Sequence, residues 1–582
     1  MARDASPSAD TEDRPGISRP RNRRRSSMTQ QPAFGSYRLR RPRMSPESRG
    51  GRLPEYRRTE EDGMLIERDI AVTMRTGDRI YVDVFRPLTA DEAPTLVSWM
   101  PYGKHNPLPI QVIFPNGEVD QEWTSRHTVF ESPDPMYWVA HGYAVVLADL
   151  PGTWNSEGVA TYLSPEEAEA HYDLIEWAGT RDWSNGRVGL TGVSYLAAAQ
   201  WRVAELAPPH LAAINPWEGF TDPYREVVRH GGIPSTWMWP YLWDRWGASR
   251  TQIEDLELET AEHPFDDAFW RSKASNLEKI QTPAYVVASW CDQGLHTRGT
   301  LEGYKRISSD QKWLEVHGQK KWAYYYRPEN VDRLRAFFDH FLRGQETEVA
   351  SWPPVRLEVR ESTSHGEMVN EQEWPLARTT YRQLFLDADN GSLTWDRVQD
   401  EHVAVYDGAG SGPGRHRAEF EVTFQEDLDL VGHMKLALYV SAEAADMDLF
   451  VAVWKIDREG RIVHFPYYGH LDDGPAAVGW IRASHRELDE AESTEYMPVL
   501  KHQRSLQLQP GDVTRLDIEI LASGTRYRAG DSLRVVVQGT DINRYPKPLV
   551  FARHEDTVNT GTHTIHTGGR FPSHLLVPVT NL

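Results

Sequence analysis

The sequence predicts an α/β domain built on a mostly parallel sheet, interrupted by an inserted helical cap and followed by a C-terminal all-β domain of jelly-roll type. Three observations lead there. From about residue 65 to 345, short apolar runs rich in β-branched residues alternate with helical patterns, the texture of buried parallel strands covered by helices. Residues 217–276 break that alternation, showing no clear strand and a dense aromatic group. After "SWPPV" at 351–355 the chain turns to short alternating strands separated by Gly, Asp, Asn and Pro, as in a β-sandwich.

Taken in order, residues 1–62 read as a disordered Arg/Ser/Pro-rich tail, and the first 50 carry 12 arginines against five acidic residues. The run "RPRNRRRSSM" is not followed by the apolar stretch that an export signal needs, so a cytoplasmic location is expected. The α/β domain is assigned to 63–216 and 277–345, the cap to 217–276 and the jelly roll to 350–582. Candidate strands of the first are "TLVSWM" (95–100), "YAVVLAD" (143–149), "RVGLTG" (187–192), "LAAINP" (211–216), "AYVVASW" (284–290) and "KWLEVHG" (312–318). The best-marked helix opens on Ser164 as N-cap, Pro165 at the first helical position and Glu167 completing a capping box, and it ends near Gly179. The domain's last helix runs from Pro328, with Val331, Leu334, Phe338, Phe341 and Leu342 on one stripe, to a stop at Gly344.

Composition narrows the function. The 582-residue chain is 39% hydrophobic and 26% charged and has no apolar run of membrane-spanning length. A net charge of −21 opposes nucleic-acid binding, which rests on Lys and Arg meeting phosphates. A lone cysteine, Cys291, excludes an internal disulfide. No cofactor and no metal are expected. His563 and His566, three apart in a strand, point to opposite faces, while Asp446 and Asp448 lack the glycine and spacing of a calcium loop. Cys291 reads as a small buried residue, no cationic neighbour being evident in the sequence.

Chemistry concentrates at "RVGLTGVSYLAAAQW" (187–201), where Ser194 lies between a strand and an alanine-rich helix. A serine there either caps the helix or projects its hydroxyl above the sheet as a nucleophile, beside amides able to hold an oxyanion. A nucleophile needs a base and an acid that orients the base. In a doubly wound hydrolase sheet these follow in the order Ser, Asp or Glu, His, on loops after successive strands. "AYVVASWCD" places Asp292 past one later strand, and "WLEVHG" places His317 past the next. Ser194, Asp292 and His317 are therefore the expected triad.

These residues resemble the cocaine-esterase-like (CocE/NonD) serine hydrolases and the related X-prolyl dipeptidyl peptidases. The motifs that carry the resemblance are "GVSYLAAAQW", "PYGK" (101–104), "DLPGTWNSEG" (149–158), "WCDQG" (290–294), "HG" (317–318) followed by "FFDHFLRG", and the final "HTGGRFPSHLLVPV". The resemblance implies an α/β-hydrolase domain, a helical cap and a jelly roll. It also implies an oxyanion hole made by the backbone amide of Tyr195 and the phenol of Tyr102. Two positions depart from the family pattern: Pro151 stands where Arg is usual and Ala197 where Gly is usual. A cap over the sheet edge would set Trp217, Trp237, Trp239 and Trp243 against the substrate.

The expected activity is cleavage of carboxylic esters through an acyl-enzyme. An amidase or acylase, or an X-Pro-type peptidase, on the same triad is the near alternative. A non-catalytic carbohydrate-binding protein is the alternative of another class. The expected partner is a small-molecule ester or amide, with no nucleic acid and no membrane, and homo-oligomerisation stays open.

Overall fold

The computed structural model describes residues 37–88, 92–106, 108–236, 238, 247–411, 415–545, 552–580 and 582. The central sheet takes its strands in chain order from β1 (Arg57–Glu61), β2 (Met64–Thr73), β3 (Arg79–Pro87), β4 (Ala93–Met100), β5 (Ala144–Asp149), β6 (Ser184–Val193), β7 (Leu211–Trp217), β8 (Ala284–Ser289) and β9 (Lys312–His317). It continues through β10 (Val355–Ser362) and β11 (His365–Glu371). In space the order is β1, β2, β3, β5, β4, β6, β7, β8, β9, β10, β11. Strands β5 to β10 are parallel, so the loops after β4, β6, β7, β8 and β9 all leave the same edge. All six strands read from the sequence are present. Their continuous apolar texture follows from helices on both faces: α1 (Pro165–Gly179), α2 (Tyr195–Ala204), α3 (Thr297–Arg306), α4 (Lys321–Tyr326) and α5 (Pro328–Arg343).

The cap of α1 differs in one detail. Ser164 Oγ accepts the Glu167 N–H at 3.0 Å, but the Glu167 carboxylate does not return to Ser164. It accepts instead from Leu163 N–H (2.7 Å), the Tyr195 phenol (2.7 Å) and Trp99 Nε1–H (3.1 Å). A buried acid thereby ties α1 to the start of α2, next to Ser194.

Two expected boundaries are corrected. Residues 37–62 are not a disordered tail: Leu39–Arg40 pairs with Gln252–Glu254, and β1 opens the central sheet. Residues 1–36 lie outside the described residues. The all-β domain does not begin at 350, because β10 runs parallel to β9 and β11 pairs antiparallel with β10. The letters of β10, "VRLEV", alternate apolar and polar residues, and that alternation is what the sequence shares with a sandwich strand.

Beyond Thr380 the strands pair antiparallel, apart from the short parallel pairing of Ser392–Thr394 with Arg417–Thr423. Leu428–Ala442 pairs with Thr514–Tyr527 and His574–Thr580 on one side of a core, while Ser532–Gln538 lies between Arg417–Thr423 and Asp448–Ile456 on the other. Leu436, Leu438, Val451, Val453, Ile518 and Val535 fill the space between them. "HLLVPV" supplies the last strand, as read from the sequence.

Described parts of 217–276 include two short helices, Leu256–Glu262 and Ala268–Lys273, and the turn Tyr224–Val228. Trp237, Trp239 and Trp243 lie outside the described residues. Among the described residues no helix is long and apolar enough to cross a membrane.

Candidate active site

Strand β6 ends at Val193 and α2 begins at Tyr195, leaving Ser194 on the turn with φ 64° and ψ −116° and without a side-chain cap bond. A non-glycine residue held there is strained, so the surroundings must fix it. Ser194 N–H donates to the carbonyls of Trp217 and Glu218, both at 3.1 Å, and Val193 N–H donates to the carbonyl of Glu131 at 3.1 Å. A Cβ on Gly192 would lie 2.6 Å from the Leu196 side chain, so glycine there lets the turn close. The methyl of Ala197 is accommodated from across the site, since a Cβ on Gly219 would sit 2.6 Å from it. Glycine at 219 frees the space that alanine at 197 takes.

The imidazole on Ser194 is not the expected one. Ser194 Oγ lies 3.1 Å from His296 Nε2, and His296 Nδ1 lies 2.5 Å from Asp292 Oδ2. Acid and imidazole are four residues apart on one turn. The amides of Leu295, His296 and Thr297 all point back to the Asp292 carbonyl, at 2.9 to 3.2 Å, which folds the loop so that the two side chains meet. The β-domain braces this loop: Gln293 Nε2 donates to Ala476 O at 3.1 Å and Gln293 Oε1 accepts Val478 N–H at 2.7 Å.

His317 ends β9 as expected, but both its nitrogens are engaged elsewhere. Nε2 faces Glu218 Oε1 at 3.1 Å, Nδ1 accepts Gln319 N–H at 3.2 Å, and the ring stacks on Tyr324 with centroids 3.8 Å apart. It holds the residue whose carbonyl holds Ser194. The expectation that His317 joins Ser194 and Asp292 is thus corrected to His296. From the loop after β9 it is Lys321 that reaches Asp292 Oδ2, with its ammonium also 3.0 Å from His296 Nδ1.

Ser194 is 7% exposed and Asp292, His296 and His317 are fully buried, so electrostatics here are weakly screened. Burial and the Lys321 ammonium push the His296 imidazole down to about 4, against the pull of Asp292. Burial would raise the Asp292 carboxyl, but Lys321 and His296 outweigh it and hold it well below the usual carboxylate range. The imidazole is therefore neutral at pH 7. Asp292 accepts Nδ1–H, leaving the Nε2 lone pair toward Ser194.

The Tyr102 phenol faces Ser194, the Tyr195 backbone amide and the Glu131 carboxyl, and its ring packs edge-on against Phe130 at 4.9 Å. Burial raises the phenol, so it keeps its proton.

With this geometry in place, the chain can be set beside known proteins. Residues 76–258 match the X-Pro dipeptidyl-peptidase (S15 family) domain and residues 347–576 the X-Pro dipeptidyl-peptidase C-terminal non-catalytic domain. A CocE/NonD family hydrolase from Staphylococcus aureus is 42% identical, with a TM-score of 0.85, over 89% of this chain and 94% of its own. The chain belongs to the CocE/NonD family of hydrolases. The cocaine esterase of Rhodococcus sp. (strain MB1 Bresler) is 24% identical over 88% of this chain and 98% of its own. The Xaa-Pro dipeptidyl-peptidase of Lactobacillus helveticus is 32% identical over 36% of this chain and 28% of its own. This CocE/NonD hydrolase is an enzyme of the serine hydrolase class, which sets aside a non-catalytic carbohydrate-binding protein.

Other expectations resolve on the same map. Trp217 is not turned to a ligand: it is buried in the sheet core, edge-on to Tyr325 at 5.0 Å. The loop 149–158, where the resemblance leads one to expect arginine at Pro151, is tied without it. Lys104 N–H donates to Asp149 Oδ1 (2.7 Å), Ser249 Oγ–H to Gly152 O (2.5 Å) and Trp154 N–H to Ala248 O (2.5 Å). Cys291 does have a cationic neighbour, Arg360, whose Nη1 is 3.9 Å from Sγ, yet burial pushes the thiol up to about 12. His563 turns to Tyr406 and His566 to Ser441, as opposite strand faces require. Asp69, Asp83 and His105 bring ligand-type atoms together, but the Lys104 ammonium sits among them, 2.7 Å from Asp83 Oδ1. Sequence reasoning missed His296, although "DQGLH" puts a histidine one helical turn after Asp292.

Proposed function

We propose that the protein hydrolyses carboxylic esters of small molecules through an acyl-enzyme on Ser194, with His296 as general base and Asp292 orienting it. The observation that carries this reading is the continuous contact from Ser194 Oγ to His296 Nε2 (3.1 Å) and from His296 Nδ1 to Asp292 Oδ2 (2.5 Å).

In the first step His296 Nε2 takes the hydroxyl proton as Oγ bonds to the carbonyl carbon. The carbonyl π pair moves to oxygen, and the Tyr195 amide and the Tyr102 phenol meet the resulting charge. His296 then gives its proton to the leaving alkoxide as the C–O bond breaks. Water, deprotonated by the same imidazole, releases the acid and restores Ser194. Asp292 stays ionised throughout and stabilises the imidazolium that forms twice per turnover. The jelly-roll reading of the C-terminal domain belongs to this picture: its antiparallel strands and two-sided core support it, and through Gln293 the domain braces the catalytic loop.

Amide and X-Pro peptide cleavage use the same steps, and the match to S15 domains keeps the peptidase reading in play. A panel of p-nitrophenyl esters, acylated amines and X-Pro anilides decides between them, and the expected result is turnover of the esters. Fluorophosphonate labelling should fall on Ser194. Absence of labelling together with inactivity on the whole panel would overturn the proposal.

A further inference from the structure

We propose that the C-terminal domain sets the triad in place. Its hairpin of Phe465–Tyr467 and Leu471–Gly474, with the strand Ala477–Arg482 that follows, clasps the acid from two sides, and Gln293 is the positioning residue that carries the hold to Asp292 and His296. This rests on the acyl-enzyme reading above.

The need for a hold is visible at Asp292. Its side-chain contacts to His296 Nδ1 and to the Lys321 ammonium are both made through Oδ2, while Oδ1 has no hydrogen-bond partner among the described residues. A carboxylate bound through one oxygen can swing about it. Its aim therefore depends on where the backbone of its loop and the Lys321 ammonium are kept, and the C-terminal domain holds both.

The first side is the loop itself. Gln293 stands between acid and base, and it is 4% exposed. Its Nε2 donates to Trp290 O within the loop and to Ala476 O of the C-terminal domain, both at 3.1 Å, and its Oε1 accepts Val478 N–H at 2.7 Å. Both protons of the amide are thus used, and its oxygen is engaged as well. One residue on, a Cβ on Gly294 would lie 2.3 Å from Tyr468 Cε1, so glycine lets the hairpin's ring rest on the loop. Tyr468 is held for that contact at φ 47°, a strained conformation for a tyrosine, with its phenol donating to Ala552 O at 3.3 Å. Where the loop enters α3, Arg298 Nε faces both carboxylate oxygens of Glu519 at 3.2 Å.

The second side is α4. Gly469, at the hairpin's tip, accepts Lys321 N–H at 3.0 Å, and Asp472 pairs with the Lys320 ammonium at 2.8 Å. The lysine whose backbone is held there sends its own ammonium to Asp292. Acid and base take their places from a domain that supplies neither of them, and a misplacement of about 1 Å in such a site can cost about 10²-fold in rate.

Gln293→Met tests this, because it keeps the length of the side chain and removes its hydrogen bonds to the domain. On a p-nitrophenyl ester kcat should fall about 10- to 100-fold with KM within about threefold, since alignment is lost rather than binding. The His296 Nδ1 proton, hydrogen-bonded to Asp292, gives a low-field proton NMR line that Asp292→Ala removes. In Gln293→Met that line should shift or broaden, which a merely structural role would not cause. Tyr468→Leu, on the C-terminal side of the contact, should lower kcat and move the line in the same sense by a smaller amount, and it decides alone if Gln293→Met does not fold. A wild-type kcat in the folded variant, or a lower kcat with the line unmoved, would overturn the proposal. Fluorophosphonate labelling of the wild type separates the two levels. Unlabelled Ser194 sinks the acyl-enzyme reading, whereas a labelled, active wild type beside variants of unchanged kcat sinks only the role of Gln293 and its hairpin.

Discussion

The loop after β8 carries His296 and the neighbouring strand β9 ends on His317, so two histidines reach the same edge of the same sheet. Only one histidine is free to accept a proton from Ser194. His296 has its Nδ1 committed to Asp292 and its Nε2 open to Ser194, whereas His317 has both nitrogens committed to Glu218 and Gln319. Position at a strand end brings a residue to the active edge. What its ring nitrogens already hold decides whether it can act there.

The largest effects should separate the loops outright. Ser194→Ala and His296→Ala should each lower kcat/KM by about 10⁴-fold or more, and the double variant should lose little beyond either single one, as for members of one unit. Initial rates on one ester, with melting curves to confirm folding, check this. A His296→Ala enzyme keeping more than about a tenth of the wild-type rate would return the role to the other loop.

Next in size is Tyr102→Phe, which keeps the ring against Phe130 and removes the proposed oxyanion donor. The rate should fall by about 10² to 10³, mainly in kcat, with little change in melting temperature. An unchanged kcat would leave the Tyr195 amide as the only donor and would count against any role for the phenol.

A third prediction concerns pH. Activity needs neutral His296, so kcat/KM should fall on the acid side only near pH 4, well below an ordinary imidazole. Lys321 contributes to that depression by disfavouring a second positive charge beside it. Lys321→Met removes the repulsion, and the acid limb should then move up from about 4 toward the ordinary value of about 6.5. An unmoved limb would show that Lys321 does not act on His296.

How much of this was legible in the sequence depends on which rule was at work. The parallel strands were readable because burial on both faces writes a continuous apolar run, and Ser194 because a polar residue between a strand and an alanine-rich helix is conspicuous. Asp292 was placed by the order of strands. His296 was not, because a rule that assigns one triad member to each successive loop steps past a histidine lying on the acid's own loop. The i to i+4 contact was in the letters, but it needed the turn that Asp292's carbonyl closes with three amides. Likewise β10 and β11 were assigned to the wrong domain because the alternation in "VRLEV" reads as a sandwich strand, although β10 is paired on both sides within the central sheet. Trp217 illustrates the limit for aromatics, since the same letter serves a pocket wall or a sheet core.

The smallest effect is expected at His317, and it closes the comparison from the other side. His317→Phe keeps an aromatic ring to stack on Tyr324 but takes the Nε2–H away from Glu218, whose Oε2 has no other partner among the described residues. Glu218 is fully buried, and burial raises its carboxyl well above the ordinary value, so it can take a proton rather than remain an unpaired charge. The cost should therefore be that of one lost buried hydrogen bond, about 1–3 kcal/mol, seen as a lower melting temperature. Because the Glu218 carbonyl, not its carboxyl, holds Ser194 N–H, the elbow should survive and kcat should stay within about tenfold of the wild type, far from the loss of a triad member. If instead His317→Phe melts like the wild type and loses about 10⁴-fold in rate, the base is on the loop after β9 and the contact between His296 and Ser194 is not the catalytic one.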